Sequence, residues 1–322
     1  MDNSLGVNKS MGKIAVVIPA YKVSDQIVAL VKSIGPEVSQ IIVVDDGCPD
    51  SSGQILADQV KDSRLSIIFL EKNMGVGAAV KTGYRAALKT NADVVIKLDG
   101  DGQMDPKEIE NLALPISEGW AQYTKGNRFF AAEAISQMPK SRVFGNLFLT
   151  FMTKFSTGYW RIFDPNNGYT AISAKTLKLI PLDKVDDRYF FESDMLFRLY
   201  LANAIVFDVP IAAIYGDEKS NLKIRRVIFE FPYKHNRNLL KRIAYSYYIR
   251  EFNLASLELP IGLILGGFGL IRGGTAWWHS IQTGITAPAG TVVLSAVLIL
   301  SSIQFILGFL NFDINNYPKN LK

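Results

Sequence analysis

Two apolar stretches near the C-terminus, residues 257–278 and 289–310, limit what this chain can become more than any other feature. Each has roughly the 20 residues that a helix needs to cross the hydrocarbon core of a bilayer. In that medium every backbone polar group must be satisfied internally, so both stretches are expected to be helical. The first contains Glu258 and Arg272, each near an end, where a long side chain can reach the interface. Trp277 and Trp278 fit the aromatic belt at a membrane surface. No Lys or Arg separates the stretches, whereas Arg237, Lys241, Arg242 and Arg250 precede them and Lys319 and Lys322 follow. By the positive-inside rule both ends face the cytoplasm. The expectation is a transmembrane hairpin over 255–312 with a cytoplasmic tail over 313–322.

Residues 223–250 hold eight Lys and Arg against Glu230 alone, a local surplus of seven in a chain whose net charge is +5. Phe229, Phe231, Tyr233, Tyr245, Tyr247 and Tyr248 are interleaved with them. A basic stretch by itself fits nucleic acid, a membrane surface or a solvated face. The hairpin directly after it decides for amphipathic helices lying on an anionic membrane surface over 223–254. No nucleic-acid partner is expected. Residues 1–12 are polar with no apolar core segment, which reads as a flexible N-terminus without a signal peptide. Cys48 is the only cysteine, so no internal disulfide forms and a reducing compartment fits. His235 and His279 have no Cys or His neighbour at zinc-ligand spacing.

Between these ends, residues 13–222 alternate between strand-like and helix-like segments. The segments 13–18, 40–44, 66–70 and 93–98 are mostly β-branched and apolar on both faces, as buried parallel strands are. Helical patterns lie near 24–34, 52–61 and 76–89. The third contains Ala78, Ala79, Gly83, Ala86 and Ala87, small enough for close packing on a sheet. Alternation of this kind predicts right-handed βαβ units and an α/β, doubly wound, mostly parallel sheet. Asp105-Pro106 supplies an N-cap and a proline at N1 for a further helix.

In such a sheet, ligands bind beyond the carboxyl ends of the strands. Three clusters fall there: Pro19-Ala20-Tyr21, Asp45-Asp46 and Asp99-Gly100-Asp101-Gly102-Gln103. An acidic pair after a strand is often only a turn or a helix cap, but three clusters on one edge mark a site. Asp99, Asp101 and Gln103 place oxygen ligands at single-residue spacing, which suits Mg²⁺ or Mn²⁺ when a substrate diphosphate completes the shell. No Gly-x-Gly-x-x-Gly follows the first strand and no Walker A lysine occurs, against a dinucleotide dehydrogenase or a P-loop ATPase. Gly75-Val76-Gly77 reads as close packing or as backbone approach to a nucleotide.

The strings Val17-Ile18-Pro19-Ala20-Tyr21, Val43-Val44-Asp45-Asp46-Gly47 and Asp99-Gly100-Asp101-Gly102-Gln103 resemble the family-2 glycosyltransferases of GT-A fold. Within them, the chain is most similar to the dolichyl- and undecaprenyl-phosphate sugar transferases. Further matches follow in order: Gly126-Asn127-Arg128, Ser141-Arg142 with Asn146, Asp164-Pro165-Asn166-Asn167-Gly168-Tyr169, and Phe191-Glu192-Ser193-Asp194-Met195. The resemblance covers roughly residues 13–222, and the subgroup also carries a C-terminal two-helix anchor. It implies that Pro19, Ala20 and Tyr21 line the nucleotide pocket beside Gly100, with Asp46 on the base edge and Asp45 supporting it. Asp99 would serve nucleotide and metal alike, sharing the cation with Asp101 and Gln103. Arg128 and Arg142 would face phosphate oxygens, where guanidinium contacts are strong. Two departures stand out: Lys22-Val23 replaces the usual Asn-Glu, and Asp194 holds a position that is often Glu.

The implied function is an inverting glycosyltransferase that moves a sugar from a UDP- or GDP-sugar to a polyprenyl phosphate at the cytoplasmic membrane face. A phosphate acceptor is already an anion. A hydroxyl on a lipid-linked oligosaccharide or polysaccharide would instead need a carboxylate base, with Asp194 the first candidate and Glu192 the alternative. A non-catalytic membrane scaffold that binds nucleotide-sugars and a nucleotidyltransferase are the other readings. Homo-oligomerisation is left open.

Overall fold

Runs of β-branched residues that are apolar on both sides suit a sheet covered on both faces. The computed structural model describes residues 12–130, 140–165, 167–211 and 224–319, with the side chains of 140–144 and 224–229 outside that description. Its first four strands are β1 (Ile14–Ala20), β2 (Val38–Asp45), β3 (Leu65–Phe69) and β4 (Val94–Lys97). Each lies within two residues of the segment expected. With β5 (Tyr123–Asn127), β6 (Thr170–Ser173) and β7 (Val206–Pro210) they form one seven-stranded sheet in the order β3-β2-β1-β4-β6-β5-β7. Strands β1, β2 and β4 are largely buried, whereas β3, expected to be buried too, lies at the sheet edge and is half-exposed.

The β1–β2, β2–β3, β1–β4 and β5–β7 pairs are parallel, while β6 runs antiparallel to both β4 and β5. That reversal matters for the site. Thr170, the first residue of β6, pairs with Lys97 at the end of β4 and with Lys125 in β5. The segment leading into β6 therefore arrives at the same edge as the carboxyl ends of the parallel strands.

Helices α1 (Ser24–Lys32), α2 (Ser52–Gln59) and α3 (Val76–Ala87) connect the first strands. A Cβ on Gly83 of α3 would overlap the Val17 side chain, so this small-residue helix lies directly against β1. Gly75 and Gly77 likewise meet the backbone of Asp186 and Asp187, and Ala78 N–H donates to Asp187 O at 3.0 Å. The glycine pair thus serves close packing. Asp105 caps a short 3₁₀ turn, accepting from Lys107 N–H at 3.0 Å, and the chain continues into α4 (Ile109–Ser117). Then come α5 (Lys140–Thr157), α6 (Ala174–Leu179), α7 (Phe191–Leu201) and α8 (Ile224–Ala244).

The chain divides into two compact units, one reaching to Leu239 and including Pro318, the other spanning Leu240–Tyr317. The boundary falls inside α8. The second unit contains a π-helical turn (Tyr245–Arg250), α9 (Leu254–Thr283) and α10 (Ala289–Asn315). Both long helices have the length and composition to cross a membrane. Gly262, Gly266, Gly269 and Gly273 give α9 a face without side chains, against which Ser295, Ile299, Ser302 and Ile306 of α10 pack. Ser302 Oγ donates to Gly262 O at 2.7 Å. Small residues that let backbones approach, plus an interhelical hydroxyl bond, are how helices associate in lipid, where apolar burial gives no drive. Glu258 lies against Gly308 of the partner helix. Arg242, expected on a basic surface, is instead 1% exposed and paired with Asp313.

Candidate active site

The three sequence clusters meet because β1, β2 and β4 are adjacent and parallel. Pro19 pairs with Val44 and Ala20 with Asp45, and Asp46 N–H donates to Ala20 O at 3.0 Å. Leu98 N–H donates to Val17 O at 3.0 Å, carrying Asp99 to the same edge. Gly100 lies so near that a Cβ there would stand 3.0 Å from Pro19 O. Pro19 is half-buried, Ala20 buried and Tyr21 exposed at this mouth.

The acidic pair shapes the surrounding loops. Asp45 accepts from Cys48 N–H at 2.7 Å and from Gly53 N–H, in the first turn of α2, at 2.8 Å. Asp46 accepts from Met74 and Gly75 N–H at 2.7 and 2.9 Å, at the entry to α3. Burial pushes the Asp46 pKa up, against the pull of those two backbone bonds and of Arg188. Both acids thus do the work of turn and cap residues at the rim.

The Asp99–Gln103 loop is less uniform than its spacing implies. Asp101 Oδ1 accepts from Gln103 N–H at 3.0 Å, a local turn aided by Gly102 at φ +73°. Asp99 Oδ1 is held by the Lys97 ammonium at 2.6 Å. Lys97 also meets Glu192 Oε1 at 3.2 Å and Gly168 O at 3.2 Å. Burial alone would lower the Lys97 pKa, but the charges of Asp99 and Glu192 outweigh it and hold the ammonium above its ordinary range. Among the described residues no cluster of three or more His, Cys, Asp or Glu could hold a metal unaided. The donor set nevertheless fits a hard cation: Asp101 and Gln103 offer oxygen, Asp99 is partly engaged, and substrate oxygens must supply the rest.

Arg128 is aimed by a two-pronged pair with Asp164, Nε to Oδ2 at 2.7 Å and Nη2 to Oδ1 at 3.0 Å. Asp164 is buried and sits at φ +50°, an uncommon conformation that turns the segment into the site. Asn167 follows, donating to Gly126 O at 2.9 Å and accepting the Lys125 ammonium on its carbonyl. Burial brings the Lys125 pKa down to about 8 despite the charges of Asp164, Glu192 and Asp208. Arg142 lies in the first turn of α5, and its side chain is outside the described residues.

Asp194 stands apart from the open mouth. It is fully buried, accepting from Asp186 N–H and from Asn238 Nδ2, each at 3.0 Å, with Arg198 at 3.8 Å. It anchors α7 to its neighbours. Glu192, two residues earlier, reaches the Lys97–Asp99 pair instead. Lys97 and Lys125 belong to none of the sequence clusters, and Gly168 stood only within a matched string with no role attached. The signal for Lys97 was a lysine ending an otherwise apolar strand, Val94-Val95-Ile96, two residues before a carboxylate.

The family model for glycosyl transferase family 2 matches residues 15–179. The chain belongs to this family. It is a glycosyltransferase, and its seven-stranded mixed sheet is the GT-A fold. Similar curated proteins include the UDP-N-acetylglucosamine–dolichyl-phosphate N-acetylglucosaminyltransferase of Methanococcus voltae, 30% identical over 63% of this chain and 86% of that one. The polyprenol monophosphomannose synthase of Mycolicibacterium smegmatis is 30% identical over 61% of this chain and 75% of its own. Among solved structures, glucosyl-3-phosphoglycerate synthase from Mycobacterium tuberculosis, in complex with Mn²⁺, UDP and phosphoglyceric acid, has a TM-score of 0.54 at 18% identity. That match covers 72% of this chain and 78% of the other.

Proposed function

We propose that this glycosyltransferase moves a sugar from a nucleotide-diphospho-sugar to a polyprenyl phosphate presented at the membrane surface, inverting the anomeric centre. The observation that carries the reading is a family-2 catalytic unit continuous with two helices long and apolar enough to cross a bilayer. Relatives named for dolichyl-, polyprenyl- and undecaprenyl-phosphate acceptors support it. The catalytic unit and the C-terminal tail would lie on the cytoplasmic side, because Arg237, Lys241, Arg242, Arg250, Lys319 and Lys322 flank the outer ends of the hairpin, against Arg272 alone toward its loop.

In this reading Pro19, Ala20 and Tyr21 line the nucleotide pocket, and Asp45 and Asp46 fix the loops that frame it. Asp101 and Gln103, with a share of Asp99, would hold Mg²⁺ or Mn²⁺. A bound divalent ion neutralises charge developing on the departing diphosphate. Arg128, oriented by Asp164, and Arg142 meet phosphate oxygens. An acceptor phosphate oxygen attacks the anomeric carbon while the bond to the diphosphate breaks and its electron pair leaves with the nucleotide. The nucleophile is already ionised, so no side chain has to take a proton from it. The enclosure of Asp194 accords with that chemistry, and we reassign this residue to anchoring α7.

The test uses the full-length protein in lipid vesicles, supplied with radiolabelled UDP- and GDP-sugars. Label should enter the lipid phase with polyprenyl phosphate and not with the corresponding polyprenol. Transfer to polyprenol, or to a lipid-linked glycan while polyprenyl phosphate stays inert, would overturn the acceptor assignment.

A further inference from the structure

We propose that Lys97 is an internal counter-ion that competes with the divalent cation for Asp99, a positioning residue that keeps the metal weakly held until the donor diphosphate arrives. The proposal rests on the metal reading above. Lys97 ends β4, and its side chain is 1% exposed. Enclosing an ammonium is costly unless acceptors replace its water. Three do so from three elements: Asp99 Oδ1 beyond β4 at 2.6 Å, Glu192 Oε1 on α7 at 3.2 Å, and Gly168 O ahead of β6 at 3.2 Å. A side chain at Gly168 would displace the pair, since a Cβ there would overlap both Asp99 Oδ2 and Lys97 Nζ.

Asp99 and Glu192 come from different motifs, yet both touch one nitrogen. Two carboxylates so placed repel each other without a cation between them. The protein supplies that cation from its own chain. A divalent ion approaching Asp99 meets a carboxylate already half-neutralised and an ammonium that repels it. Diphosphate oxygens offset this by adding negative charge on the far side of the ion. Metal should therefore bind poorly alone and well together with a nucleoside diphosphate, and it should be released with the product.

The experiment follows free Mn²⁺ by electron paramagnetic resonance, using full-length protein in detergent, first with Mn²⁺ alone and then with UDP or GDP. Lys97→Met should raise affinity for Mn²⁺ alone by at least about tenfold, the scale on which a nearby charge shifts an ionic equilibrium. It should also slow sugar transfer, because Asp99 loses its fixed position. Lys97→Arg should restore weak binding. Unchanged or weaker Mn²⁺ binding in Lys97→Met would overturn the proposal. If that variant does not fold, Glu192→Gln serves in its place. With its second partner neutralised, the ammonium turns fully to Asp99, and affinity for Mn²⁺ alone should fall by about tenfold; no fall refutes the idea. If the wild-type protein binds no Mn²⁺ even with a nucleoside diphosphate, the metal reading fails and this inference falls with it. If it binds Mn²⁺ with the nucleotide but the Lys97 variants shift nothing, this inference alone is lost.

Discussion

Lys97 in the catalytic unit and Arg242 in the hairpin unit are each only 1% exposed at the side chain, and each pairs with an aspartate. They differ in what surrounds the pair. Asp313 is as enclosed as Arg242, accepting its guanidinium at 2.5 and 3.0 Å and the Tyr247 hydroxyl at 2.6 Å. Ser256 Oγ then donates to Tyr247 O at 2.6 Å, tying the start of α9 to the same cluster. Asp99, by contrast, keeps 28% of its side-chain surface and shares its lysine with Glu192. A closed pair fixes geometry. An open pair keeps a carboxylate oriented yet available to a ligand.

The closed pair should show the largest effect. Asp313→Asn removes the counter-charge supplied to a buried guanidinium and should cost the hairpin unit about 3–5 kcal/mol. Arg242→Met combined with Asp313→Leu should recover most of that loss, because an apolar pair of similar volume needs no solvation. Thermal unfolding in detergent, or hydrogen exchange across α9 and α10, reads both. A single Asp313→Asn change costing under about 1 kcal/mol would place the pair among ordinary surface bridges.

The open edge should behave in the opposite way. Asp101→Asn is nearly isosteric and, like Asp101 itself, can keep the local turn, so the melting temperature should hold. Transfer should fall by at least about a hundredfold, the usual scale for losing one preorganised electrostatic contact in a transition state. Activity that survives the substitution, or that is undiminished in EDTA, would remove the cation from the site.

Much of this was legible in the residues. Strands β1 to β4 could be placed because Val and Ile dominate them on both faces, and the three edge clusters followed from strand direction. The antiparallel β6 was not legible, since Thr-Ala-Ile-Ser carries no sign of the direction in which it runs. With it went the reason that Gly168 and Asn167 reach the site. Which of Glu192 and Asp194 faces the edge was not legible, for a geometric cause. Two residues apart on a helix, side chains point about 200° from one another, so only one can face the edge. Helix phase, which the sequence alone did not settle, gives that place to Glu192. Arg242 was misread for a related reason, as its charge was counted while its partner lay 71 residues away.

Everything above turns on the bond that the enzyme makes. Phosphorus NMR of the purified lipid product, with the anomeric proton coupling recorded alongside, tests it most directly. The expected product is a glycosyl phosphodiester in which the acceptor's phosphate monoester signal is consumed and the anomeric configuration is opposite to that of the donor. An intact phosphate monoester with the sugar on a hydroxyl, or a product that keeps the donor's configuration, would contradict it.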